Sequence, residues 1–385
     1  MIYLDHAATT PLRAEVRDAW LGAQLVGNAS SVHGAGQSAR RVLEEARERV
    51  AASLNSQPIE VVFTSGGTES VNLALKGLWS ARAEGRDAIV LPDGEHHATL
   101  DAVGWLAARE GARVRAVALE RSGRIPLAGF REALDGPAAL ATALVAANET
   151  GTINDAALLA GAAAEAGVPL HLDAVAAAGH VPLDFAAWRG TAPAQAGLVT
   201  LSVSGHKLGA PVGTGALVVS RHAAPDPLLH GGGQQRGLRA GTQDIAGAVA
   251  LATALELADA ERDGENARLE GIRARVVAEL AERAHEIVVL GDPSRHLPGT
   301  IHLHLPGAVG ESLMFLLDQR GFSVSTGSAC QAGVAEPSHV VMALGYSADE
   351  ARQVLRISMG ATTTQAEMSS FTAALVEAYS RLTSR

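Results

Sequence analysis

Leu198-Val199-Thr200-Leu201-Ser202-Val203-Ser204-Gly205-His206-Lys207 is the stretch on which the fold turns. Its first six residues are aliphatic or small and end abruptly at Ser-Gly, which reads as a buried strand. A lysine directly after such a run is uncommon, because an ammonium rarely accompanies apolar burial without a role. Working outward, runs at 61–63, 88–91, 114–119, 140–147, 168–172 and 216–219 also read as strands. Helix-like stretches at 69–82, 98–110 and 155–167 lie between several of them. Upstream, 39–54 is amphipathic, with Val42, Ala46, Val50 and Leu54 every fourth position and Arg and Glu on the other faces. Alternation of this kind predicts a mainly parallel α/β sheet covered on both faces.

Beyond residue 220 the pattern changes. Residues 246–284 form one long helical pattern, broken only near Asp263-Gly264. A strand at 300–305, a helix at 310–320, a loop at 325–333, a helix at 338–344 and a strand at 355–359 follow. In the terminal helix Phe371, Leu375, Ala378 and Leu382 share a face. This second part reads as a smaller α+β domain, giving a large domain over 13–257 and a small one from 1–12 and 258–385. A chain of 385 residues is long for one core, which agrees. Aromatic residues are only 3% of the chain, so the core must be built from Ala, Val and Leu. Lysine and arginine number 31 against 41 Asp and Glu, a net charge of −10 that argues against nucleic acid as a partner. No signal-like leader opens the sequence and no apolar run is long enough to span a bilayer, so a cytoplasmic location is expected.

Ligands of open α/β sheets bind beyond the carboxyl ends of the strands. Three polar groups fall there. Thr64-Ser65-Gly66-Gly67-Thr68-Glu69-Ser70 enters a helix, with glycines that let backbone approach an anion. Asp173 follows 168–172. Lys207 follows 198–203, and desolvation would make it a nucleophilic amine. An anion cradle, an aspartate for a pyridinium nitrogen and a Schiff-base lysine together describe a pyridoxal 5'-phosphate site. His302 and His304 would share one face of a strand, but no third ligand has recognisable spacing, so no metal is expected.

The chain resembles the cysteine desulfurases of the class V aminotransferase group, in their NifS/IscS-like branch, over nearly its whole length. The marks are Tyr3-Leu4-Asp5-His6-Ala7-Ala8-Thr9-Thr10-Pro11, Gly27-Asn28-Ala29-Ser30-Ser31-Val32-His33, and Phe63 to Ser70. Further marks are Glu95-His96-His97-Ala98, Asn148-Glu149-Thr150-Gly151, Ser204-Gly205-His206-Lys207 and His230-Gly231-Gly232-Gly233. Arg239-Ala240-Gly241-Thr242 and Gly327-Ser328-Ala329-Cys330 complete the set. The resemblance implies fold type I, with a seven-stranded sheet, pyridoxal 5'-phosphate and a homodimer. It implies that Lys207 holds the cofactor covalently and moves the Cα proton, that Asp173 pairs with the ring nitrogen, and that His96 stacks on the ring. Gly67, Thr68, Ser204, Gly205 and His206 would hold the phosphate, with Thr242 reaching in from a neighbouring subunit. Asn148 would lie by the phenolic oxygen and the substrate, and Arg356 would take the substrate carboxylate.

Cys330 is the only cysteine in the chain, so no intrachain disulfide or Cys-x-x-Cys site is possible. By itself a lone cysteine is more often a small buried hydrophobe. The resemblance implies instead that it accepts sulfur from L-cysteine, leaving L-alanine, and passes the persulfide to an acceptor protein of iron–sulfur assembly or of tRNA or cofactor thiolation. One departure matters. Relatives carry glutamine three residues after the aspartate, whereas Ala176 stands here. The alternatives are a selenocysteine lyase, another class V lyase or aminotransferase, or a non-catalytic scaffold. Comparing cysteine, selenocysteine and cysteine sulfinate as substrates separates the first three, and absence of the yellow cofactor band would favour the last.

Overall fold

The computed structural model describes residues 1–24, 27–327 and 336–384. Its strands, in chain order, are β1 (Ile2–Tyr3), β2 (Val61–Thr64), β3 (Ala88–Pro92), β4 (Arg113–Val117), β5 (Ala138–Leu144) and β6 (Pro169–Asp173), then β7 (Gly197–Ser204), β8 (Gly215–Val219), β9 (Val288–Leu290), β10 (Thr300–His304), β11 (Phe322–Ser323) and β12 (Val354–Ser358). The helices are α1 (Ala14–Gly22), α2 (Gly34–Ser53), α3 (Gly67–Ser80), α4 (His97–Glu110), α5 (Leu127–Leu134) and α6 (Ala156–Glu165), then α7 (Phe185–Arg189), α8 (Ile245–Arg283), α9 (Gly310–Asp318), α10 (His339–Ala343) and α11 (Gln365–Thr383).

Seven strands form the main sheet in the order β2-β8-β7-β6-β5-β3-β4. All are parallel except β8, which runs against both β2 and β7. Strands β5, β6, β7 and β8 are buried at every position. That is what helices on both faces require, and it explains their unalternated apolar runs. The scarcity of aromatic residues is met by close packing of small ones. Ala138, Ala141, Ala143, Ala160, Ala163 and Ala174 are all about fully buried in one cluster.

The smaller antiparallel sheet has the order β12-β10-β9, with His302 opposite Arg356. Its apolar cluster joins Leu4, Leu269, Leu303, Leu355 and Phe371. Strand β1 pairs with β11, and Asp5 bridges to Ser358, so the first residues of the chain lie against its last strands. Helix α11 begins with a capping box of Thr364 and Glu367.

Three expectations need correction. The helical pattern is not broken at Asp263-Gly264, because α8 runs unbroken for 39 residues. Its first part buries Leu251 and Leu255 in one cluster and its later part buries Leu269 and Val276 in another. Each such burial is worth roughly 1.5–3 kcal/mol, against about 1 kcal/mol for a glycine within a helix. The run at 140–147 leaves the sheet after Leu144, where the chain turns into the short bridge Ala146–Ile153. The strand expected at 114–119 ends at Val117, two residues early.

Candidate active site

Strands β6 and β7 are parallel neighbours with Asp173 level with Ser202, so their carboxyl ends open at the same height. Asp173 is the last residue of β6, and its Oδ1 accepts from Val175 N–H at 2.9 Å and Ser202 Oγ at 3.2 Å. Burial raises its pKa, and the nearby His96 and Lys207 pull it back down. A buried carboxyl in this state is stabilised by a cation placed against it.

Lys207 ends the 3-10 turn that follows β7. Its Nζ donates to the carbonyls of Ala7 and Ala8. Burial, aided by the Arg356 charge, pulls its pKa down to about 8, with Asp5 and Asp173 opposing. At neutral pH a usable fraction of this amine is therefore unprotonated. His96 caps α4 through Nδ1, which accepts from Ala98 N–H at 3.1 Å. The neutral ring therefore carries its proton on Nε2. Burial lowers the His96 pKa, so the neutral form prevails at pH 7.

The helix α3 N-terminus meets the end of β7. A Cβ on Gly67 would lie 2.8 Å from Val175 Cγ2, and one on Gly66 would lie 3.6 Å from Ser204 Oγ. Only glycine allows that approach at Gly67. Ser204 Oγ is buried without a partner among the described residues. Free N–H groups at a helix start, beside an unpartnered hydroxyl, form an anion cradle. Glu69 within this turn would oppose an anion, but it is paired with Arg239 at 2.9 Å. Thr68 follows Gly67 in the first turn. Gly205 is enforced too, since a Cβ there would lie 2.3 Å from Thr214 Oγ1. The His206 ring meets Thr9 Oγ1 at 3.2 Å. Thr242 lies exposed just before α8.

Arg356 on β12 is buried, with Nη1 donating to the Asn148 carbonyl at 3.0 Å and Nη2 to Asp5 Oδ1 at 2.9 Å. Its Nε and the Asn148 Oδ1 lack partners among the described residues. A cavity of about 380 Å³ joins Lys207, Asn148 and Ala176 to His6 and Ser358. Lys207, Asp173, His96, Asn148 and Arg356 are thus assembled by the ends of β5, β6 and β7, by α4 and by β12. Cys330 lies outside the described residues. His302 and His304 are buried, and among the described residues no group of three or more His, Cys, Asp or Glu could hold a metal ion.

Asp5, Glu95 and Glu149 were missed as site residues by sequence reasoning. Glu95 is fully buried, its Oε1 accepts from Leu144 N–H at 2.8 Å, and burial beside Asp173 pushes its pKa up to about 8. Burial and the neighbouring carboxyl thus both favour its neutral form. A usable signal existed for Glu149, which follows the apolar run 140–147 as Lys207 follows 198–203. Nothing local flags Asp5, whose partner is 351 residues away.

The unpartnered Ser204 hydroxyl by a glycine helix start, the buried Asp173 and the depressed Lys207 suit a phosphorylated pyridine aldehyde. Residues 2–371 match the model of the family described as Aminotransferase class-V. An "IscS-like cysteine desulfurase" of Mycobacterium tuberculosis is 45% identical over 376 residues, covering 96% of this chain and 93% of that protein. A solved "NIFS-LIKE PROTEIN" superposes with a TM-score of 0.90 at 30% identity, over 99% of this chain and all of the other. A structure described as SspA in complex with cysteine has a TM-score of 0.78 at 30% identity, over 93% of this chain and 99% of that one. The chain belongs to the class-V aminotransferase family and, within it, to the IscS- and NifS-like cysteine desulfurases.

Proposed function

We propose that this enzyme binds pyridoxal 5'-phosphate at Lys207 and transfers the sulfur of L-cysteine to Cys330. The observation that carries the reading is the convergence of Lys207, Asp173 and His96 at the open ends of β6 and β7. When bound, the cofactor supplies an electrophilic carbon for the substrate amine and a sink for electrons from Cα. Gly67, Thr68, Ser204, Gly205 and His206 would hold its phosphate, and Asp173 would pair with its ring nitrogen. Arg356 orients the substrate carboxylate, with Asp5 and the Asn148 carbonyl fixing the guanidinium from behind. Lys207 Nζ takes the proton from Cα. His96 exchanges a proton through Nε2. The Cys330 thiolate attacks the substrate sulfur, so that an S–S bond forms and the Cβ–S bond breaks. L-Cysteine and a thiol thereby become L-alanine and a persulfide, with no outside oxidant. An ordinary thiol with pKa about 8.5 is only a few per cent ionised at pH 7.

Relatives named cysteine desulfurase and a neighbour described with cysteine support L-cysteine as substrate. The remaining elements of the reading are a homodimer sharing Thr242, a cytoplasmic setting and a sulfur-acceptor protein. Among the described residues no helix is long and apolar enough to cross a membrane. The domain division at 13–257 against 1–12 and 258–385 is supported by the separate apolar clusters. The test is to supply L-cysteine, measure alanine and sulfide, and weigh the Cys330 peptide for one added sulfur. Neither alanine nor added sulfur would defeat the reading.

Two smaller effects follow from the same site. Arg356→Lys keeps the charge but loses the planar fork, so KM for L-cysteine should rise about 10- to 150-fold with kcat less affected. Steady-state kinetics check this. Ala176 removes an amide donor from the neighbourhood of the cofactor's phenolic oxygen, and a hydrogen bond to a charged group contributes about 1.5–3 kcal/mol. Ala176→Gln should therefore move the cofactor's absorbance titration by about one to two pH units. Superimposable curves would show that Asn148 or water already fills that role.

A further inference from the structure

Asn148 and Glu149 follow β5 and face two ways. The Asn148 carbonyl accepts from Arg356 Nη1, as above. The Glu149 side chain is buried on the other side, where Oε2 accepts from Ser338 Oγ at 2.6 Å. The same oxygen lies 3.1 Å from where a Cβ on Gly327 would sit, and His302 Nε2 lies 3.4 Å from it. Gly327 has φ +87°, so a side chain there is strained as well as crowded. Gly327 and Ser338 lie on either side of residues 328–335; Ser338 is hydrogen-bonded to this carboxyl group and Gly327 approaches it closely.

The surroundings hold these two points firmly. Ser325 N–H donates to the Arg356 carbonyl at 3.1 Å, and Arg356 N–H donates to the Ser325 carbonyl. Gly327 N–H donates to Ser325 Oγ at 3.0 Å. Ser338 caps α10 by accepting from Val341 N–H at 3.1 Å, and its own N–H donates to the Ala351 carbonyl at 3.3 Å. Glu149 is 2% exposed and His302 fully buried, with both ring nitrogens of His302 unpartnered among the described residues. Burial raises the Glu149 pKa, while Ser338, His339, Arg356 and His97 oppose the rise. A carboxyl group retained here at such desolvation cost is poorly explained by packing alone.

We propose that Glu149 is a positioning residue for sulfur transfer, holding Ser338 by a hydrogen bond and limiting Gly327 by close approach at the two ends of the stretch that carries Cys330. Through Asn148 the same dipeptide ties those ends to the arginine that receives substrate. The inference rests on the reading of Cys330 as the sulfur-accepting thiol.

The test compares Glu149→Ala, Glu149→Gln and Ser338→Ala as holoenzymes. Three readouts are taken: the cofactor spectrum with its change on adding L-cysteine, the single-turnover rate of sulfur addition to Cys330, and hydrogen exchange in 336–345. Glu149→Ala should keep the cofactor spectrum and its response to cysteine. Its single-turnover rate should fall about tenfold or more, the scale of one buried hydrogen bond to a carboxyl group. Exchange in 336–345 should quicken. Glu149→Gln, whose amide oxygen still accepts from Ser338, should recover the rate to within about threefold, and Ser338→Ala should fall between. An unchanged rate in Glu149→Ala, or loss of the cofactor band with it, would overturn the proposal. Should Glu149→Ala not fold, a wild-type rate in Ser338→Ala would overturn it. If wild-type protein gains no sulfur at Cys330, the functional reading fails, and exchange alone then decides the anchoring role. Exchange unchanged by Glu149→Ala sinks it.

Discussion

Cys330→Ala should bind the cofactor with an unaltered absorption band yet lose sulfur transfer from L-cysteine by about a thousandfold or more. Removing an attacking nucleophile leaves only the slower reaction with water or small thiols, and losses of this order or larger accompany such deletions. No other cysteine exists in the chain to take over. The cofactor band should survive because Lys207, Asp173, His96 and the α3 start are all positioned by elements other than the stretch that carries Cys330. Absorbance, alanine release and the mass of the 330 peptide are the measurements. Wild-type transfer to an acceptor thiol in this variant would remove Cys330 from the mechanism, whatever became of the colour.

Lys207→Ala should be more damaging to the chemistry and should also change the spectrum. The amine is lost both as the covalent attachment point and as the base for Cα, and general-base removal alone costs about 10²–10⁴-fold. Borohydride treatment should fix the cofactor to wild-type protein and fail to fix it to the variant. The sign of the pH dependence follows from the Lys207 pKa of about 8. Below that value the amine is protonated and cannot attack an aldehyde; above it the free base prevails. Capture of pyridoxal 5'-phosphate by stripped wild-type protein should therefore accelerate through pH 8 and level off above it. A profile that stayed flat until about pH 10, where an unperturbed lysine titrates, would show that burial does not tune this residue.

Much of the site was legible because strand ends are legible. Buried runs stop where the chain meets polar residues, and Asp173 and Lys207 are the first charged groups after two such stops. The α3 start could be read from Gly66-Gly67 for the same local reason. The unbroken α8 was not, because Asp263-Gly264 carries a local signal against helix while the burial that overrides it lies in partners far along the chain. Asp5 was opaque for a related cause, and for Glu149 the partners were hidden even though the apolar run before it marks the residue. Each acts through tertiary neighbours, Arg356 for one and Ser338 with Gly327 for the other, and spacing in sequence holds no trace of them. Glu95 reads as an ordinary carboxylate in sequence, and only its complete burial beside Asp173 shows that its neutral form is favoured.

The ion pair of Asp5 with Arg356 spans 351 residues. Synthesis proceeds from the amino end, so Asp5 emerges first and waits while almost everything else is made. Bringing two such distant groups together carries a large closure entropy, and it returns nothing until β12 exists to receive it. Arg356 is thus clamped only when the chain is nearly whole. A chain that stops short of β12 has neither a partner for Asp5 nor a guanidinium at this end of the cavity, so this corner of the site forms only in the finished chain.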